Sequence, residues 1–149
     1  MMPNTPALLG EGMSAFSCNQ FVDDGTRDVV RELLGCVGRV IEVSEEQLHI
    51  VTGISGSGPA YFYKVAADIL PIATEAGFTP DDAVTLIAQT LRGAGEMLMD
   101  SGKDPETLIL DVSSPGGTTV AGLSEFDQQG IGKAFRAVVN AAIKRSQEL

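Results

Sequence analysis

Apolar residues recur at helical spacing over most of this chain and alternate as in strands only near its start. Val84, Ile87, Ala88, Leu91, Ala94, Gly95 and Leu98 share one face of a stretch that Ser101-Gly102 closes. Thr79-Pro80-Asp81-Asp82 opens it with a capping residue, a first-turn proline and two acids at the positive end of the dipole. The pattern predicts a helix there, with small residues Gly93, Ala94 and Gly95 permitting close packing. A helix is also predicted from about Pro59 to Ala76, ending at Gly77 and kinked at Pro71. It is apolar almost all round (Ala60, Phe62, Val65, Ala66, Ile69, Leu70, Ile72) and therefore needs to be surrounded. Asp104-Pro105-Glu106 opens a shorter helix through Leu110. Val120, Leu123 and Phe126 mark another, with Thr118 and Thr119 in its first turn. Ile131, Ala134, Phe135, Val138, Ala142 and Ile143 mark the last, which finishes with Lys144 and Arg145 at its negative end.

The first part of the chain reads differently. Residues 1 to 12 hold turn formers and glycines before any periodicity, as if the chain entered in mid-structure. Gly12 to Cys18 then reads as a strand. Asp23, Asp24 and Gly25 lead into a helix bearing Val29, Val30, Leu33 and Leu34, and Arg39 to Val43 alternates as a second strand. This is a piece of an α/β layer, ending at about residue 43, followed over 44–149 by an all-helical domain. Glu45 to Thr52 is a short helix that runs into the glycine-serine cluster Gly53-Ile54-Ser55-Gly56-Ser57-Gly58-Pro59, where a serine before Pro59 is placed to cap the next helix. Helices with glycine and alanine at their contacts, one of them apolar on nearly every side, imply that a second copy of the chain supplies part of the burial.

Composition narrows the function. The 149 residues carry 10 Lys and Arg against 20 Asp and Glu, a net charge of −10, which argues against binding a phosphate backbone, so no nucleic-acid partner is expected. Cys18 and Cys36 have neither partner cysteines nor nearby histidine, so they read as reduced, buried thiols, and no metal site is expected. No apolar run is long enough to span a bilayer and the first residues lack the features of a secretory leader; the expected compartment is the cytoplasm. His49 is the only histidine, which removes the Ser/His/Asp and Cys/His sets of nucleophilic catalysis.

Two motifs remain. Gly56-Ser57-Gly58 invites a dinucleotide-fingerprint reading, but the third glycine would fall at Tyr61, and no second strand follows. Its expected role is structural, letting Pro59, Ala60 and Tyr61 begin a helix against other backbones. In Ser113-Ser114-Pro115-Gly116-Gly117-Thr118-Thr119, two glycines after a proline allow a sharp turn at a helix start. The unpaired N–H groups and dipole there suit a carboxylate or phosphate, with a threonine hydroxyl for the atom beside it. An ordinary turn with an N-cap is the bland alternative. The reactive power has to come from a cofactor or from another part of the protein.

Met2-Pro3-Asn4-Thr5-Pro6, Gly53-Ile54-Ser55-Gly56-Ser57-Gly58-Pro59-Ala60-Tyr61 and Ser114-Pro115-Gly116-Gly117-Thr118-Thr119, in that order and spacing, resemble the pyrroline-5-carboxylate reductases. The resemblance implies NADPH- or NADH-dependent reduction of Δ1-pyrroline-5-carboxylate to L-proline, the last step of proline synthesis. It also implies a mainly α fold, with a helical dimerisation domain over 44–149 preceded by a short α/β remnant of a Rossmann domain over 1–43. The resemblance further implies homodimers, which in this family often assemble into rings. By the same resemblance Ser114, Gly116, Gly117, Thr118 and Thr119 cradle the substrate carboxylate. Thr119 addresses the ring nitrogen as the catalytic residue, and Asn4, Glu45 and Asp111 line the cofactor side. Asp111 departs from the family pattern, since an acid facing a nucleotide is unfavourable unless it meets ribose hydroxyls. The glycine-rich phosphate loop of the family matches nothing in these residues, so the chain corresponds to the C-terminal half of such an enzyme.

Overall fold

In the computed structural model, which describes residues 1–149, the chain is mainly helical with one short parallel strand pair near its start. Strand β1 (Gly12–Phe16) pairs with β2 (Gly38–Glu42), Gly12 opposite Gly38 and Phe16 opposite Glu42, and helix α1 (Asp24–Gly35) makes the crossover that parallel strands require. Both strands open on glycine for a steric reason. Gly38 has φ +145°, and a Cβ there would lie 1.9 Å from the Gly12 carbonyl oxygen. Ser14, Ala15 and Phe16 of β1 are buried, and Arg31 of α1 lies over the Phe16 ring while pairing with Glu42 at 3.1 Å. The other edge of β1 meets the chain start, where Met2 exchanges backbone hydrogen bonds with Ala15 at 2.7 and 2.9 Å before a single 3-10 turn over Thr5–Leu9.

Helix α2 (Gln47–Val51) begins on a reciprocal capping box: the Ser44 N–H donates to Gln47 Oε1 at 2.9 Å, and the Gln47 N–H donates to Ser44 Oγ at 3.4 Å. The glycine-serine cluster that follows is not a loop. Thr52–Gly56 forms a π turn, and α3 (Gly58–Glu75) continues from it through Pro71. Ser57 is helical and lends no side-chain cap, because α3 is a continuation and not a fresh start. The remaining helices are α4 (Pro80–Asp100), α5 (Pro105–Asp111), α6 (Thr118–Gln128) and α7 (Ile131–Gln147). Thr79 and Asp104 cap α4 and α5 by accepting the N–H groups of Asp82 and Thr107, in the manner their sequences predict.

The residues form two compact units, 1–62 with 135–149, and 63–134. In the first, α2 and the π turn pack on α7. His49 Nδ1 lies 3.0 Å from Ser146 Oγ, and a Cβ on Gly53 would meet Ile143 Cγ1 at 2.4 Å and the Val139 carbonyl oxygen at 3.1 Å. The cysteines correct one expectation: both are unpaired, but Cys18 is only half-buried, and Cys36, at the end of α1, is exposed.

The second unit has almost no interior. Ala83 is its one buried residue, while Ile72, Leu110 and Val112 are each about two-thirds or more exposed. Two apolar cavities flank the seam of α3 and α4. One, of about 320 Å³, lies among Val65, Ile69, Ala73 and Leu86; the other, of about 310 Å³, lies among Ala66, Leu70, Val84 and Ala88. Ile87 and Leu91 line both. A third, of about 390 Å³, runs along α4 and α5 past Met97, Leu98, Ile109 and Val112. No helix is long and apolar enough to cross a membrane.

Candidate active site

The loop between α5 and α6 owes its shape to three residues. Pro115 fixes the first central position of a turn, Gly116 takes φ +70° at the second, and the Gly117 N–H closes it onto the Ser114 carbonyl at 2.9 Å. That is the signature of a type II turn, which needs glycine at its second central position. Ser113 ends α5 by donating its hydroxyl to the Ile109 carbonyl at 2.6 Å. Ser114 Oγ occupies the space a Cβ on Gly117 would need, at 2.4 Å.

This turn delivers a helix start that no side chain of the protein caps. α1, α4 and α5 each begin under a side-chain oxygen of their own, from Asp23, Thr79 and Asp104, and each has an acid in its first turn. α6 begins on Gly117 with neither. Its first internal bond runs from Ala121 N–H to Gly117 carbonyl, so the N–H groups of Thr118, Thr119 and Val120 carry no backbone partner. The hydroxyls of Ser114, Thr118 and Thr119 make no hydrogen bond within the protein. Donors of two kinds therefore stand open on a largely exposed loop, where an acceptor-rich anion can satisfy them.

The residues expected on the cofactor side lie in three settings. The Glu45 carboxylate is exposed in the turn leading to α2. Asp111 ends α5, where a negative charge opposes the dipole, and Lys103 compensates it by donating to Asp111 Oδ2 at 2.6 Å. Asn4 is half-buried, and its side chain bonds to Met13 and Ser55. Sequence reasoning passed over Ser55, Tyr61 and Lys103 as partners in these arrangements. For Ser55 the signal was present, because Pro59 removes the backbone donor its carbonyl would use, which some side chain must replace.

A dinucleotide also needs a cradle for its pyrophosphate, and the β1–α1 turn does not provide it. The connection from β1 to α1 contains no glycine. The α1 N-terminus is already filled by the Asp23 carboxylate, which accepts the Thr26 N–H at 2.7 Å; that bond, with one from the Thr26 hydroxyl, holds its pKa below the ordinary value. A phosphate brought there would meet that carboxylate and Asp24. The α1 N-terminus therefore does not fit the phosphates of such a cofactor.

Comparison with known proteins shows which family the chain resembles over its whole length. The family described as pyrroline-5-carboxylate reductase dimerisation matches residues 45–149. Pyrroline-5-carboxylate reductase 1 of Bacillus subtilis is 40% identical over 149 residues, covering 100% of this chain and 50% of the relative. The reductase of Arabidopsis thaliana is 39% identical, over 100% of this chain and 54% of its own. Among solved structures, a pyrroline-5-carboxylate reductase from Coxiella burnetii superposes with a TM-score of 0.93 at 32% identity, covering 99% of this chain and 55% of that one. The Plasmodium falciparum pyrroline carboxylate reductase, solved with NADP bound, gives 0.90 at 31% identity, over 99% and 60%. The chain spans about half the length of the relatives it matches. At this identity over its whole length, and with that family's dimerisation pattern over its helices, the chain belongs to the pyrroline-5-carboxylate reductase family.

Proposed function

We propose that this chain supplies the substrate-carboxylate site and the dimerising helices of a cytoplasmic reductase that converts Δ1-pyrroline-5-carboxylate to L-proline. The observation that carries the reading is the uncapped start of α6 behind the Pro115-Gly116 turn. The substrate carboxylate accepts the free N–H groups of Thr118 and Thr119, with the Ser114 hydroxyl beside it, and the glycines at 116 and 117 keep side chains out of its approach. Thr119 Oγ then accepts the N–H of the protonated imine, orienting it while hydride adds to the adjacent ring carbon and the C=N double bond becomes a C–N single bond with a new C–H. A nicotinamide cofactor, NADPH or NADH, supplies the hydride when bound. The stretch around Asn4, with Glu45 and Asp111, is the part of this chain we assign to the cofactor side.

In this reading 1–43 is the closing part of a dinucleotide-binding domain and 44–149 the dimerisation domain, which accords with the family match beginning at residue 45. A homodimer, capable of assembling into rings, covers the apolar flanks of α3 and α4. A unit of this size with Ala83 as its one buried residue has too little interior to hold itself together.

The test has two parts. Titrating the chain with L-proline while following amide resonances should shift Thr118, Thr119 and Val120, and Gly117→Ala should abolish the shift. NADPH oxidation with pyrroline-5-carboxylate should be absent for the chain alone and appear when the dinucleotide-binding half of a relative is supplied. No proline response and no turnover in either arm would leave a dimerisation module without a substrate site.

A further inference from the structure

Asn4 lies in the stretch that the proposed function assigns to the cofactor side, yet every polar atom of its side chain is engaged within the protein. Oδ1 accepts the Met13 N–H at 2.9 Å, and Nδ2 donates to the carbonyl and the hydroxyl of Ser55, each at 3.3 Å. Both ends meet groups that the backbone leaves open. Met2 pairs with Ala15, so the next antiparallel pair would join Asn4 to Met13. The Asn4 carbonyl is instead taken by the Ala7 N–H of the 3-10 turn, at 3.2 Å. The side-chain oxygen stands in for it.

At the other end, the helical donor for the Ser55 carbonyl would be the N–H of residue 59, which is Pro59 and has none. The next N–H, of Ala60, goes to Ser57 at 3.1 Å. The π turn has a second displaced carbonyl: Ser57 N–H bonds Thr52 at 2.8 Å, and Gly53 accepts the Tyr61 hydroxyl at 3.1 Å in its place. Met2 packs against Gly56, where a Cβ would lie 3.1 Å from its sulfur. The two sequence motifs, some fifty residues apart, are one brace.

We propose that Asn4 is a positioning residue: its side chain locks the π turn Thr52–Gly56 to the edge of β1 and so fixes the Pro3–Thr5 backbone that faces the cofactor, without itself touching the cofactor. The chemistry singles out asparagine. Aspartate keeps the acceptor for Met13 but turns an acceptor on the Ser55 carbonyl, and serine is too short to span both partners. This role rests on the proposed reductase reading only for what the brace serves; the brace itself stands on its hydrogen bonds.

The test uses the full 149-residue chain and hydrogen exchange at single amides. Asn4→Asp should speed exchange at Gly56 and Ser57 by about tenfold or more while leaving Met13 within about threefold, and Asn4→Ala should speed all three. Unchanged exchange in both variants overturns the brace. In the reductase assay above, Asn4→Asp should lower kcat while the KM for NADPH stays within about twofold, because a residue that does not touch the cofactor leaves its uniform binding intact. A rise in KM of about tenfold at unchanged exchange makes Asn4 a direct cofactor ligand and refutes the proposal. Absence of turnover in the unsubstituted protein counts against the reductase reading alone, and exchange then decides the brace.

Discussion

Replacing Gly53 by alanine isolates how tightly the π turn is seated on α7. The added Cβ would lie 2.4 Å from Ile143 Cγ1, 3.1 Å from the Val139 carbonyl oxygen and 3.3 Å from Ile143 Cδ1. Cγ1 is attached to the branched Cβ of isoleucine, whose rotamer is confined in a helix, so it cannot swing clear, and the carbonyl belongs to the α7 backbone. Overpacking of this kind costs about 1–3 kcal/mol, against a gain of up to about 1 kcal/mol from exchanging glycine for alanine in helical backbone. The net expectation is a loss of about 1–2 kcal/mol. For a protein of this length it corresponds to a fall in Tm of roughly 3–8 °C at fixed protein concentration. Urea unfolding followed by circular dichroism measures it, with Ile143→Ala and the double variant completing a cycle. Alanine at 143 opens the space, so the double variant should lose at least about 1 kcal/mol less than the sum of the single losses. A Gly53→Ala protein as stable as the parent, or strict additivity in the cycle, would refute the seating of the turn on Ile143.

Three further outcomes follow from the same geometry. Thr119→Ala should lower reductase turnover by about 10- to 1,000-fold, the scale of one positioned hydrogen bond, with the dimer intact; equal turnover removes Thr119 from the mechanism. Asp23 and Asp104 have pKa values lowered by bonds from the Thr26 and Thr107 N–H groups, so their capping is complete above the unfolded value near pH 4 and is lost as pH falls through the lower folded value. Amide exchange at Thr26 and Thr107 should therefore quicken only below about pH 4, and Asp104→Asn, which caps without titrating, should flatten the response at Thr107. Leu86→Glu and Val84→Glu, on the two flanks of the α3–α4 seam, should each weaken self-association by about 100-fold or more in analytical ultracentrifugation, since each would bury an unpaired carboxylate. If only one does so, the partner covers a single flank.

The helices were legible where cap, first-turn proline and apolar spacing agreed, as at Thr79-Pro80 and Asp104-Pro105, because all three are local properties of the chain. The Pro115-Gly116 turn was legible for the same reason. The π turn was not. One extra residue per turn leaves no mark on apolar periodicity, and the groups that hold it, Asn4 from the chain start and Ile143 from α7, are remote in sequence. Lys103 was missed as the partner of Asp111 because Gly102, at φ +69°, reverses the chain between α4 and α5. The exposure of Cys36 was missed because composition gives a residue type's average burial and not its place at a helix end.

The helix starts decide between two ways this chain can hold an anion. In an α/β layer the first expectation is the turn after a strand, but here Asp23 already spends its charge on the α1 N–H groups, and Asp24 adds to the field. A second anion there would have to displace a carboxylate that is covalently tethered at its optimum position. At α6 the same N–H groups stand open, and the residue that might have capped them is a glycine whose missing side chain leaves room for Ser114 Oγ. Local capping and ligand capping are alternatives for the same donors. α1, α4 and α5 close their starts with Asp or Thr, whereas α6 begins on glycine and leaves its first N–H groups open, and it is on that difference that the proposed substrate site rests. In a protein of net charge −10, whose surface repels anions at long range, the proposed carboxylate site has to rely on these few short-range donors and not on general attraction.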